Sequence, residues 1–439
     1  MALIRETAAA STAVEYNLSR PHSNFHFVET HFNGLEPLRR IFSQARLLNC
    51  STVLVEKLTE ADDATEEDED LAKVNPRFRG SECTRLAFFR HPDLKNGVEK
   101  IAPLGYAIVK KDKYNDKKND RLHVFESVLP AVRHPNNFVH GSPEHSFRVG
   151  EENFTCQGYL YAQQNHVTKS CAHVALRTIL GRFHPESAFS YRRISSLAGM
   201  QSMGPRFKPE MQIDQMESVL SALDVKVATA QYGPGVRRLP FPFHSQIYSC
   251  VESGFPAIAI FRTRKGRPNI RHAIPVFGHT FNEDSWVAHG SSYFSVGKSL
   301  RYLPSDAWTS MFVAHDDNCG SNFCIPRRYL ESEIRAVLAT YPANVDLTGS
   351  EAESLGSSIL LDIIEHARTD GPTGADLPPI WTQRLGWYAR DKKTVHRALL
   401  VTRDTYSRHL QALRDWNGQA DDIELVQEVA SIFQMEIFG

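Results

Sequence analysis

The hydrophobic periodicity between residues 171 and 277 constrains the fold of this chain most. In CAHVALRTIL the apolar residues Ala172, Ala175, Leu176, Ile179 and Leu180 recur at helical spacing, forming one face of an amphipathic helix. Ile213, Met216, Val219, Leu220 and Leu223 repeat that pattern in a second helix. VKVATA then reads as a strand, and SQIYSCVESG at 245–254 as a short helix closed by Gly254. PAIAIF and HAIPVF read as two buried strands. Helix comes first and strands follow, without the β-α-β alternation that builds a parallel sheet. The expected class is therefore α+β, with a helix packed on an antiparallel sheet.

A chain of 439 residues is too long for one ordinary domain. Residues 1–25 are small and polar and are expected to be disordered. Residues 26–155 carry the β-like runs TVLVE, TRLAFF, YAIV and LHVFESV and read as a mainly β N-terminal domain. The acidic stretch Glu60–Asp70 and the lysine-rich stretch Lys110–Arg121 are expected to be solvated loops between those strands. The α+β domain occupies 156–330, and 331–439 reads as a helical C-terminal region. Within it, 331–340, 354–367 and about 381–437 are candidate helices around the Gly/Pro-rich joint at 370–379. Trp381, Trp387, Tyr388 and Trp416 read as helix-packing anchors.

Fifty Lys and Arg against 51 Asp and Glu leave a formal charge of -1, which gives no reason to expect a nucleic acid partner. No run approaches the roughly 18 apolar residues that a membrane span needs, so no membrane partner is expected. Seven cysteines, an odd number spread thinly, do not make a secreted disulfide framework. The first residues lack the apolar core of a signal peptide, and a cytoplasmic protein with reduced thiols is expected. No phosphate loop or dinucleotide fingerprint is present, and no cofactor is expected.

Cys171 stands at the mouth of the first helix, after the polar loop YAQQNHVTKS. Free backbone N–H groups and the positive dipole end at that position favour a thiolate, the nucleophile of covalent catalysis. Taken alone, a cysteine there is more often an inert small hydrophobe. His272 opens the strand HAIPVFGH, where an imidazole can serve as the base of a thiol at a helix start. MFVAHDDNCG reads as a strand running into an acidic turn, and Asp316, or Asp317 as an alternative, can hold the second imidazole nitrogen. A side-chain amide upstream of Cys171, from Gln163, Gln164 or Asn165, can complete an oxyanion hole with the Cys171 N–H. His279 has odd strand parity relative to His272 and belongs to the other face. His289 reads as a loop histidine. His315, Cys319 and Cys324 lack the paired C-x2-C knuckle of a structural zinc site, so no metal is expected.

This ordered set resembles papain-like cysteine peptidases, especially the bacterial C39-like branch. The matching pieces are Gln164 with Cys171, Gly254-Phe255-Pro256, His272-Ala273 with Gly278, and Asp316 with Gly320, over about 160 residues. The resemblance implies a papain-like domain flanked by the N- and C-terminal regions. It assigns Cys171 as nucleophile, His272 as proton shuttle, Asp316 as its orienting carboxylate and Gln164 as oxyanion donor. Three departures stand out: Gln164 lies one residue too far from Cys171, His173 is unusual for the family, and the segment at 284–310 reads as an insertion. The implied activity is cleavage of a peptide or isopeptide bond in a particular protein substrate. An acyl transfer of the deamidase or transglutaminase type, or a non-catalytic scaffold, are the alternatives. The flanking regions are candidate surfaces for a partner protein.

Overall fold

A computed structural model describes residues 13–359 except 19–23, 59–61, 91–101, 132–136, 140–141, 188, 201–206, 234–240, 264–270, 282–293, 297–299, 303–305, 307–308, 346 and 357. The first part of the chain forms β1 (Val14–Asn17), α1 (Asn24–Phe32), α2 (Glu36–Leu47), β2 (Thr52–Leu58), α3 (Asp62–Val74), β3 (Phe78–Arg90), β4 (Ala102–Tyr114), β5 (Arg121–Val128), β6 (Asn137–Val139), β7 (Glu144–Val149), β8 (Glu152–Gln157) and β9 (Leu160–Tyr161). Next come α4 (Cys171–Phe183), α5 (Tyr191–Leu197), α6 (Ile213–Ser221), β10 (Val225–Gln231), α7 (Phe243–Glu252), β11 (Ala257–Arg262) and β12 (Arg271–Phe281). The remaining elements are β13 (Phe294–Val296), β14 (Leu300–Tyr302), β15 (Thr309–Asp316), β16 (Gly320–Pro326), α8 (Arg327–Glu333) and β17 (Ile334–Pro342). Residues 1–287 and 308–342 make one compact unit, and 288–307 with 343–439 make a second.

Among the described residues, the first unit holds two large antiparallel sheets and the two-stranded β7-β8 sheet. One runs β1-β2-β3-β4-β5-β9 and the other β10-β17-β11-β12-β15-β16, with β6 also paired to β12. Mixed helices and antiparallel strands bear out the α+β class. In the first sheet, Leu86, Phe88, Ala107 and Val109 join a core with Ile41 and Phe42 of α2. Their chain neighbours Ala87, Phe89, Tyr106 and Ile108 join a core on the opposite face, with Ala64 of α3 and Val174 of α4. Both faces of β3 and β4 are therefore covered, which is why Leu86–Phe89 and Tyr106–Val109 are continuously apolar and do not alternate.

On the second sheet, Ala175, Leu176, Ile179 and Leu180 of α4 pack with Val219 and Leu220 of α6 against Ile258, Ile260, Ala273, Ala336 and Leu338. Each fully buried aliphatic side chain contributes roughly 1.5–3 kcal/mol, well above the few tenths at stake in helix propensity. Burial therefore fixes where α4 lies, and with it the position of its first residue. Helix α7 ends as expected at Gly254, whose φ of +83° lets the Phe255 N–H return to the Cys250 carbonyl.

Several sequence expectations are corrected. Residues 14–17 are not disordered but pair with β2. The N-terminal region carries three helices on its sheet, one of them built from the acidic stretch. In α3, Ala64, Glu67, Asp70 and Leu71 are buried at helical spacing. Two of the core positions are carboxylates, so apolar periodicity does not show the helix. Lys110 is likewise no loop residue, but a fully buried member of β4. The helix expected over 331–340 is instead the end of α8 followed by β17, which lies between β10 and β11. A central strand covered on both faces has the unbroken apolar run of a buried helix, and periodicity does not separate the two.

In the second unit, β13 pairs with β14 as a hairpin. Residues 349–356 are helical, closed at the start by reciprocal bonds between Thr348 and Glu351. The helix expected at 354–367 thus starts earlier. The helix expected over 381–437, the four tail aromatics and His289 lie outside the described residues.

Candidate active site

The loop before Cys171 is knotted around one side chain. Asn165 Oδ1 accepts the N–H groups of Val167, Thr168 and Lys169 at 2.9, 2.9 and 3.1 Å. His166 takes a left-handed φ of +59° inside that turn. Ser170 is the N-cap of α4, and its N–H donates to Nδ1 of His173 at 3.2 Å. The other His173 nitrogen lies 3.0 Å from Ser195 Oγ. Burial, and then the Lys169 charge, push the His173 imidazole down to about 4, so it is a neutral capping residue. That explains a histidine two residues after the cysteine.

Cys171 is half-buried at the first turn, and its Sγ accepts the Ala273 N–H at 3.3 Å. Next to Ala273, His272 is only 4% exposed. Phe261, its cross-strand partner on β11, sets its ring edge-on against the imidazole at 5.4 Å. His272 Nε2 lies 3.3 Å from Asp316 Oδ2 and 3.2 Å from Asp317 Oδ1. Nε2 is thus committed to carboxylates, and the Cys171 sulfur lies near enough to the ring to favour its charged form. Burial alone would lower the basicity of His272. The bond to Asp316 and the neighbouring Cys171 and Asp317 outweigh it and push the imidazole up to about 11. The ring is an imidazolium throughout the neutral range, held by an acid pair.

The two carboxylates differ. Burial works against ionising Asp316, but the His272 bond and charge outweigh it, as do N–H donations from Asn318 at 2.8 Å and Cys319 at 3.0 Å. The net effect holds Asp316 below its ordinary value. Asp317 is pushed up to about 7, first by burial and further by the Asp316 charge, against the pull of His272. Its Oδ2 is buried with no hydrogen-bond partner among the described residues. Both acids weighed from the sequence are thus brought to His272: Asp316 as a fixed anion, Asp317 as one that titrates near neutrality.

An Asp whose folded value lies above its unfolded one contributes stability below the unfolded value and loses it as pH rises through about 7. Asp317→Asn should therefore raise the melting temperature at pH 8 by about 5 °C, and little at pH 4. The same variant should remove an inflection near pH 7 from the rate at which a thiol-directed electrophile labels Cys171. Equal melting temperatures at pH 8 would show that the ionised carboxylate is not buried at a cost.

The upstream amides are sorted by their bonds. Gln163 Oε1 accepts the Val124 N–H at 2.7 Å and prolongs the edge of β5. Asn165 donates its amide to Glu67 and to Thr168 Oγ1. Gln164 is half-buried and makes no side-chain hydrogen bond among the described residues. His315 is buried, with Nε2 3.0 Å from the Tyr159 carbonyl and Nδ1 accepting the Asn322 N–H at 3.0 Å. Burial pushes it down to about 3, and both ring nitrogens are taken up by backbone partners. His279 is 2.6 Å from Glu252 of α7 and belongs to another buried pair. Among the described residues, His272, Asp316 and Asp317 have donor atoms within 4.8 Å of one another, the spacing of a cation site. A cation there would have to displace the His272 proton.

The N-terminal region supplies residues that sequence reasoning missed. Arg40 of α2 donates to the Ser321 and Asn322 carbonyls, both at 2.7 Å, just after the acidic turn. Gln44 donates to the Ser321 carbonyl at 2.6 Å and accepts from Ser321 Oγ at 2.9 Å. Gly320, at φ +118°, leaves room for Arg40: a Cβ there would come within 2.7 Å of Arg40 Cδ. On the nucleophile side, Glu67 of α3 lies 3.1 Å from Lys169 Nζ and bonds the Asn165 amide. The one available signal is the spacing of Ala64 and Glu67 in the acidic stretch and Leu71 just after it, three and four residues apart.

No protein-family profile matches the chain, and no curated protein matches it in sequence. Among solved structures, it is similar to the peptidase domain of Streptococcus ComA, a bi-functional ABC transporter involved in a quorum sensing pathway. Identity is 11% and the TM-score 0.25, over 41% of this chain and 96% of that domain. Likeness at that level carries no activity across, and the site rests on its own geometry. No helix among the described residues is long and apolar enough to cross a membrane.

Proposed function

We propose that this chain is a papain-like cysteine hydrolase that cleaves a peptide or isopeptide bond in a particular protein substrate. The observation that carries the reading is His272 held by a carboxylate pair through Nε2, on the residue next to Ala273, whose N–H donates to the Cys171 sulfur. In this reading the Cys171 thiolate adds to the substrate carbonyl carbon, and the oxygen takes up the negative charge. The Cys171 N–H and the Gln164 amide stabilise that oxyanion. The C–N bond then breaks as His272 donates its proton to the departing amine, leaving a thioester on Cys171. Neutral His272 next takes a proton from water, whose oxygen adds to the thioester and releases the acid and the thiolate. Asp316 keeps the ring oriented in both halves.

An amine in place of water would give acyl transfer from the same thioester, so the acceptor must be identified by product analysis. Wild-type protein and Cys171→Ala are incubated with a peptide library, in water enriched in oxygen-18, and the products are read by mass spectrometry. Paired new termini, with oxygen-18 in the new carboxylate and only with wild type, support hydrolysis. Amine incorporation without cleavage would move the assignment to acyl transfer. Neither product, together with a Cys171 no more reactive than Cys319, would leave a non-catalytic scaffold.

A further inference from the structure

Beside the nucleophile loop lies an open cleft of about 400 Å³, within the size range of small-ligand sites. Its walls include Asn75 and Arg77 from the α3–β3 turn, Asp116 and Asn119 from the β4–β5 connection, Arg121 at the start of β5, and Val167, four residues before Cys171. Most arginines of this unit whose contacts are described have partners. Arg85 meets Glu56, Arg177 meets Glu126, Arg192 meets Asp70, and Arg40 holds carbonyls. The side chains of Arg77 and Arg121 meet no carboxylate among the described residues. The one carboxylate in the cleft wall, Asp116, is occupied as the cap of the Lys117–Asn119 turn, accepting the Lys118 N–H at 3.1 Å. Asn75 similarly accepts the Arg77 N–H at 3.0 Å. Two exposed guanidiniums against the single Asp116 charge leave the wall net positive, and they present forked donors for a carboxylate.

The cleft also adjoins the candidate active site. Val167 lines it, and the neighbouring His166 lies within range of the positive charges of both Arg121 and His272. We propose that the cleft is a substrate subsite that takes a carboxylate of the bound peptide, held by Arg77 and Arg121, while the adjoining segment presents its amide to Cys171. This rests on the cysteine hydrolase reading and assigns it a preference for acidic substrates. The lysine-rich stretch, read from the sequence as a solvated loop, then contributes to the mouth of a specificity site.

The test uses peptides bearing an electrophile that alkylates Cys171. One pair has glutamate or glutamine one to four residues from the electrophile; a second has a free C-terminal carboxylate or a carboxamide. At low salt the favoured acidic probe should label Cys171 about five- to tenfold faster than its neutral twin. The pair that shows the ratio identifies a side-chain or a terminal carboxylate. The ratio should fall toward one in 0.5 M salt and in the Arg77→Gln/Arg121→Gln double variant, and Arg121→Glu should favour a lysine-bearing probe. A ratio near one at all positions, or a ratio that survives in the double variant, overturns the subsite. Binding of the same peptides without electrophile to Cys171→Ala, read by fluorescence anisotropy, judges the cleft independently of thiol chemistry. A thiol that labels no faster than Cys319, alongside an acidic preference in anisotropy, would sink the hydrolase reading and leave the carboxylate site standing.

Discussion

Replacing Cys171 with alanine should abolish labelling by electrophilic peptides at that site and lower any amide hydrolysis by about 10⁴–10⁶-fold, the loss typical of removing a covalent nucleophile. The fold should survive. Its sulfur is half-buried and accepts one long bond from the Ala273 N–H, and alanine suits the first turn of α4. Thermal unfolding of the variant should lie within a few degrees of wild type. The comparison is informative because the buried thiols are chemically different. Burial pushes Cys50 and Cys83 up to about 11, and Cys156 and Cys250 up to about 12, so they stay protonated and inert at neutral pH. Labelling that persists at the wild-type rate in Cys171→Ala would place the reactive thiol elsewhere and remove the basis of the proposed function.

The largest effect on stability should come from Glu67. Its carboxylate is fully buried, and its Oε2 lies 3.0 Å from Lys110 Nζ. Its Oε1 lies 3.1 Å from Lys169 Nζ, an ion pair without hydrogen-bond alignment. Burial opposes the charge, but the Lys169 and Lys110 charges outweigh it and hold Glu67 far below the usual carboxylate range. Lys110 has other partners, Asp68 at 2.7 Å and Asp112 at 3.3 Å. Lys169 has Glu67 as its carboxylate partner among the described residues, plus the faces of Phe125 and Tyr191 at 4.7 and 4.4 Å.

Glu67→Ala therefore strands a buried ammonium two residues before the nucleophile, at a cost of about 3–5 kcal/mol. Melting should fall by roughly 10 °C. Electrophile labelling, measured well below both transitions, should also slow, because Asn165 loses a bond that anchors the nucleophile loop. Adding Lys169→Met removes the stranded charge and should recover part of the stability. A Glu67→Ala protein that melts and labels like wild type would show that the network neither supports the fold nor positions the loop.

Legibility in the sequence varied with the kind of side chain. The helix after Cys171 and the strand after His272 were readable because their buried positions are apolar, and apolar spacing reports burial directly. The candidate pair of nucleophile and base followed from those two elements. The acidic stretch was read as solvent-facing because Glu67 and Asp70 occupy buried positions that the pattern method takes to be apolar. Lys110 was misread for the same reason. The oxyanion side chain was uncertain by a residue, and the bonds made by Gln163 and Asn165 leave Gln164 as the one whose amide is uncommitted among the described residues.

The sequence by itself determined the α+β class and placed Cys171 at a helix start, His272 at a strand start and Asp316 and Asp317 at a turn. Local periodicity is sufficient for each, because each depends on its own element. Tertiary structure decided what surrounds them. It set β17 between β10 and β11, brought both aspartates to one imidazole nitrogen, and tied the nucleophile loop to α3 and the acidic turn to α2. The last two ties join charged and polar groups more than a hundred residues apart, and the aspartates lie over forty residues from His272. Only the folded chain, by excluding water, makes such distant partners obligatory.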